Sequence, residues 1–187
     1  MSLVTLLGQP QGSDDVSRFI TSLSSDGDGD VELAVKEYPP VTYASSQEHG
    51  ISLQFEQGRC QAIDLYNEGA AKGWKCFPKL PWTLTTSVSD KEQMLVIEAH
   101  TTGTDFVSIL GEPSRKGGGE PLQGGGASGL GPGAWMEWQK VALAPPATVK
   151  VDLMVELKGP DARGAQRWDK EKGGKATWGV ITLSLAS

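Results

Sequence analysis

Apolar positions along this chain follow two rhythms, and a period of two governs most of its length. Ile51, Leu53 and Phe55 alternate with polar residues, Gln57-Gly58 supplies a turn, and Ile63 and Leu65 resume the alternation, which predicts a β-hairpin. Its other face carries Ser52, Gln54, Cys60, Ala62, Asp64 and Tyr66, a water-facing or lightly covered surface. Three more strands are expected. Residues 134–143 hold Trp135, Met136, Trp138, Val141 and Leu143; residues 148–157 alternate Val149, Val151, Leu153, Val155 and Leu157 with Lys150, Asp152 and Glu156; and residues 177–185 place Ile181, Leu183 and Leu185 on one face. The last two pair antiparallel across the polar loop 158–175. Helical spacing appears at Val16, Phe19, Ile20 and Leu23, behind a Ser13 cap and the acidic first turn Asp14-Asp15. The run from Met94 to Ile97 follows a capping-box pattern, Ser89-Asp-Lys-Glu92, but is too short for periodicity to separate helix from buried strand.

One pattern occurs twice. Leu3-Val-Thr-Leu-Leu-Gly-Gln-Pro10 and Phe106-Val-Ser-Ile-Leu-Gly-Glu-Pro113 match in register, which suggests a chain of two related units. Each copy reads as a short helix that glycine ends and proline stops, with Ser2 capping the first and Thr104-Asp105 starting the second. The fold class expected is therefore α+β: two related units of short helices packed on antiparallel β-sheet. Residues 1–86 form a helix-plus-hairpin unit and 87–187 a helix-plus-antiparallel-sheet unit, sharing one core, with a mobile glycine-rich loop over 114–133.

The motif carries a resemblance. Phe106 to Gly119, with Leu110-Gly-Glu-Pro113 and Gly117-Gly-Gly119, resembles the helix-ending motif of small, largely uncharacterised bacterial and fungal proteins. More distantly it is similar to the tandem helix-plus-sheet units of β-lactamase inhibitory protein and of outer-membrane assembly lipoproteins of the small-protein-A type. The chain shows no lipoprotein leader or lipid-attachment cysteine, so no envelope role is expected. The resemblance implies a binding or inhibitor-type scaffold, by fold analogy.

Composition narrows the function classes. A formal net charge of -6 argues against a nucleic-acid partner, which calls for basic excess, and equally against an anionic membrane surface. Residues 1–12 lack a basic segment followed by a long apolar run, and no stretch is apolar enough to span a bilayer, so a soluble cytoplasmic protein is expected. Cys60 and Cys76 are too few for a disulfide framework and lack zinc-ligand spacing; two reduced thiols are the expectation, a single bridge the alternative.

Candidate chemistry is thin. Asp26-Gly-Asp-Gly-Asp30 with Leu33 and Glu37 has part of a calcium-loop spacing, but Val31 occupies the position that needs glycine and Pro39-Pro40 would cut the exiting helix, so an acidic turn entering an edge strand is expected. Ser114-Arg-Lys116 precedes its glycines, the reverse of a P-loop order. His49 and His100 sit in no metal or nucleophile spacing. Asp152 and Glu156 share a strand face roughly 13 Å apart, too far for a tight carboxylate dyad. No catalytic residue, metal or cofactor is assigned. Six tryptophans exceed what the core needs. Trp178 is a core candidate, while Trp74, Phe77, Trp82, Trp135 and Trp138 are the candidate binding residues, either roofing the hairpin or forming a surface for a protein partner or small apolar ligand. Asp64 or Tyr66 would add polar groups to such a site. The leading reading is a noncatalytic protein-interaction module, immunity- or inhibitor-like. The alternative is a small apolar-ligand binder, or an enzyme without a recognisable motif, with an aromatic-lined pocket between units; a calcium-dependent module is third.

Overall fold

The computed structural model describes residues 3–24, 31–88, 91–119, 133–143 and 149–186. Ten strands are present among the described residues: β1 (Ala34–Tyr38), β2 (Val41–Ser46), β3 (Ile51–Glu56), β4 (Arg59–Tyr66), β5 (Trp82–Val88), β6 (Lys91–Ile97), β7 (Arg115–Gly118), β8 (Ala134–Ala142), β9 (Lys150–Leu157) and β10 (Trp178–Leu185). Eight form one sheet in the order β1-β2-β3-β4-β10-β9-β8-β7, and β5 pairs with β6 in a separate hairpin. Every pairing is antiparallel. The sheet is thus two four-stranded meanders meeting at their last strands, with Ile63 opposite Leu183 and Leu65 opposite Ile181 along the seam.

The α+β expectation is overturned. The described chain is 45% strand and 17% helix, and its two α-helices, α1 (Asp14–Thr21) and α2 (Gly103–Leu110), have eight residues each. Three local outcomes account for the difference. The first motif copy winds only a 3-10 turn, Leu3–Leu6; the undecided run Met94–Ile97 lies in β6; and the segment after the second copy opens as β7. That segment is glycine-rich for a packing reason: a Cβ on Gly117 would stand 2.8 Å from Trp135 Cζ2, so the glycines let the indole lie across β7. The rest of the expected loop, 120–132, lies outside the described residues, as do Asp26–Asp30 of the calcium spacing. Glu37, its last position, is exposed on edge strand β1 rather than on a helix. The expected boundary between 86 and 87 falls inside β5.

Where helices do form, their ends obey local rules. Ser13 Oγ accepts from Val16 N–H at the start of α1, and Val16, Phe19 and Ile20 are its buried face. At α2 the cap is Thr102, one turn closed by a reciprocal Thr102–Asp105 capping box. Both motif glycines, Gly8 and Gly111, have positive φ, +79° and +77°, so the copies end alike though they wind differently.

All these pieces cover one face of the large sheet. Leu53, Ile63, Leu65, Val151, Leu153, Val155, Ile181 and Leu183 form one cluster with Leu6 of the 3-10 turn, Phe19 of α1, Leu84, Leu95 and Ile97 of the hairpin, and Phe106 of α2. A register shift in the β3–β4 pair, between Gln54 and Phe55, places Cys60 opposite Phe55. The expectation of a water-facing or lightly covered side therefore fails: Cys60 is fully buried, burial pushing its thiol up to about 12, and Ser52 and Ala62 are buried as well.

Candidate functional site

The five aromatics proposed for binding do not come together. Phe77 and Trp138 are core residues, 2% and 4% exposed. Trp138 packs against Phe106 with ring centroids 6.3 Å apart, and its indole N–H donates to Gly111 O at 2.9 Å, tying β8 to the end of α2. Trp82 is half-buried against the same core. Trp74 stacks on Tyr66 at 3.6 Å, and Trp135 points to the opposite sheet face from Trp138, over Gly117 and Gly118. Trp178 is fully buried, as a core residue should be.

A cavity of about 340 Å³ lies elsewhere, between α2, the start of β7 and the loop joining β9 to β10. Its floor is Met136 and Leu157, from the helix-covered face of the sheet, and Val107 and Ser108 of α2 form one wall. Trp168, from the loop, forms the wall opposite, flanked by Lys116 Nζ at 5.4 Å and Arg167 Cζ at 5.8 Å from its ring centroid. Close backbone approach builds these walls. A Cβ on Gly173 would meet Arg167 O at 1.9 Å, one on Gly174 would meet Thr104 Oγ1 at 2.6 Å, and one on Gly103 would meet Leu157 Cδ1 at 3.0 Å. Thr104 Oγ1 donates to Gly174 O at 3.0 Å and Gly103 N–H to Ala176 O at 3.0 Å, so α2 and the loop are fastened at the cavity's rim. Neither Trp168 nor the loop was singled out from sequence. The available signal was a lone tryptophan between two cations, Arg167-Trp168-Asp169-Lys170, inside an otherwise polar, glycine-punctuated segment.

The other face of the sheet carries a row of polar residues. Register aligns Ser45, Ser52, Asp64 and Thr182 across four strands. Ser45 and Ser52 share a hydrogen bond of 2.7 Å, and Thr182 donates to Asp64 at 2.7 Å. Burial raises the Asp64 carboxyl above the ordinary carboxylate range, with the Thr182 hydrogen bond pulling in the opposite direction. Tyr66, next but one along β4, is pushed up to about 12 by burial first and then by the carboxylates of Asp64 and Glu156. A raised carboxyl binds its proton more tightly in the folded chain, so the stability it adds is present at low pH and is lost as pH rises through the folded value. Asp64→Asn is therefore expected to raise the urea midpoint at pH 7 and leave it unchanged near pH 3. A lower midpoint at pH 7 would show that the ionised carboxylate stabilises the sheet.

A second, more open groove runs beside β1 and the β2–β3 turn, lined by Glu32, Lys36, Gln47, His49 and Trp74 among others. Within it Ser46 Oγ and His49 Nδ1 lie 2.9 Å apart. This pair spans a single turn, and Ser46 is only 5% exposed, which suits a turn-holding hydrogen bond and leaves the hydroxyl poorly placed to attack a substrate. His100 is exposed against Glu98 at 2.9 Å.

Cys60 and Cys76 are both free. Among the described residues no cluster of three or more His, Cys, Asp or Glu side chains is placed to hold a metal ion, and no helix is long and apolar enough to cross a membrane. No family model, curated protein or solved structure matches the chain.

Proposed function

We propose that the protein is a noncatalytic binding module that holds a small ligand in the cavity between α2 and the β9–β10 loop. The supporting observation is the cavity itself: about 340 Å³, floored by Met136 and Leu157 and walled by Val107 and Trp168, within the size range and apolar character of small-molecule sites. The ligand is apolar in body, and the aromatic that meets it is Trp168 rather than the five proposed from sequence. Two free thiols and a net charge of -6 favour a reducing, cytoplasmic setting and disfavour nucleic acid.

A protein-interaction role is the second reading. Edge strand β1, all five of whose residues are exposed, with Val35 and Tyr38 among them, favours it.

Filling the cavity separates the two. Val107→Trp, and independently Ser108→Phe from an exposed wall position, should abolish ligand-observed NMR signals from small aromatic fragments that bind the wild type, while the thermal midpoint stays within about 4 °C. Fragments that bind both filled variants as well as the wild type would refute the cavity as the binding site.

A further inference from the structure

The mouth of the cavity inverts the charge of the protein. The chain carries 17 Lys and Arg against 23 Asp and Glu, yet Lys116, Arg167 and Lys170 stand around this opening with Glu112 as the single carboxylate in the lining. Elsewhere four described cations sit on carboxylates, Arg18 on Asp15, Lys75 on Glu48, Arg115 on Glu137 and Lys175 on Glu171, and what sets the cavity mouth apart is that its cations gather at one apolar opening. Lys116 and Lys170 have no ion-pair partner among the described residues, and Lys116 is drawn instead over the Trp168 ring. Keeping Lys116 and Lys170 at one opening costs repulsion, which a bound anion relieves, and low-dielectric walls strengthen the attraction. The first amides of α2 contribute little to this charge. Gly103 N–H is taken by Ala176 O, and Asp105 N–H by Thr102.

We propose that the cavity selects organic anions: a carboxylate carried on a compact apolar body, such as one aromatic ring. The body lies against Val107, Met136, Leu157 and Trp168, and the carboxylate is held at Lys116 and Lys170. This rests on the cavity being the ligand site, and adds to that reading the charge of the ligand and the residues that read it.

Three matched probes test it by calorimetric titration: 3-phenylpropionate, its neutral amide, and 3-phenylpropylamine. The acid should bind about tenfold tighter than the amide, with the amine weakest, and added salt should weaken only the acid. In Lys116→Gln/Lys170→Gln the acid should fall to the affinity of the amide, and the amide should be unchanged. An amide that binds the wild type as tightly as the acid, or an acid whose affinity survives the double substitution, overturns the anion selectivity while leaving the cavity as a ligand site. Failure of all three probes to bind, or binding that Val107→Trp does not reduce, overturns both.

Discussion

Replacing Trp178 with alanine is expected to cost about 4 kcal/mol of folding stability, the largest loss from any single tryptophan in the chain. Trp178 is fully buried at the first residue of β10, opposite Leu157 in the register. Its indole N–H donates to Glu98 O at 2.7 Å, joining the large sheet to the residue after β6. Truncation therefore removes the ring's buried apolar surface, opens a cavity that close-packed neighbours cannot fill, and leaves the Glu98 carbonyl without that donor. For a domain whose total stability is of the order of 5–15 kcal/mol, such a loss takes a large share. Trp135, half-buried on the other sheet face, should cost about 1 kcal/mol or less when truncated in the same way. Urea unfolding followed by far-UV circular dichroism measures both. A loss under about 2 kcal/mol for Trp178→Ala, or equal losses for the two variants, would mean that the core does not depend on this ring as its burial indicates.

The contrast between these two tryptophans shows what the sequence could reveal. Strands that bury one face announce themselves by alternation, so β3, β4, β9 and β10 were legible from Ile51 to Leu65 and from Val151 to Leu185. The helix α1 was equally plain from Ser13 and its apolar spacing. Edge strands were harder to place, because they bury no face: β1, all five of whose residues are exposed, was expected only as the edge strand after the acidic turn 26–30, and β7 was not legible, being Arg-Lys-Gly-Gly, a sequence with poor strand propensity that pairs because its glycines admit Trp135. At β6, a capping-box pattern competed with a short apolar run, and tertiary pairing with β5 decided the outcome. Two copies of Leu-Gly-X-Pro encode a left-handed glycine and a stop. They do not encode how many helical turns precede them, and that misled the fold class.

Part of the candidate site could have been corrected by strand parity alone. Trp135 and Trp138 are three residues apart in one strand and must face opposite sides of a sheet, so they never belonged to one aromatic surface. The cavity was a different matter. It exists because Gly174 lets the loop approach Thr104 of α2, Gly103 lets α2 approach Leu157 of β9 and Gly173 lets the loop fold back on Arg167, and because Lys116, some fifty residues from Trp168, arrives beside its ring through the pairing of β7 with β8. No local periodicity carries that information; only the isolated tryptophan among cations hinted at it.

Asn67 presents the same problem in the polar interior, and its replacement by leucine is expected to cost about 3 kcal/mol. The residue follows β4 and is 1% exposed. Its Nδ2 donates to Ala99 O at 2.7 Å and to Trp178 O at 2.9 Å, while Oδ1 accepts from Glu68 N–H at 2.8 Å and from Cys76 Sγ at 3.5 Å. One side chain thus joins the end of β4, the segment after β6 and the start of β10. Leucine matches its volume but strands these groups, and each buried polar group left without its partner costs roughly 1–3 kcal/mol. Asn67→Asp sharpens the test. The introduced carboxylate would face two carbonyl oxygens, so its folded pKa must rise, and the variant should hold most of its stability at low pH and lose it as pH climbs past the ordinary carboxylate value. Urea midpoints at pH 4 and pH 7 read this directly: the Asp variant is expected to fall below the Leu variant at pH 7 and to approach or exceed it at pH 4. A pH-independent Asp variant would show that water reaches this position and that the three segments are not held through a dry hydrogen-bonded joint.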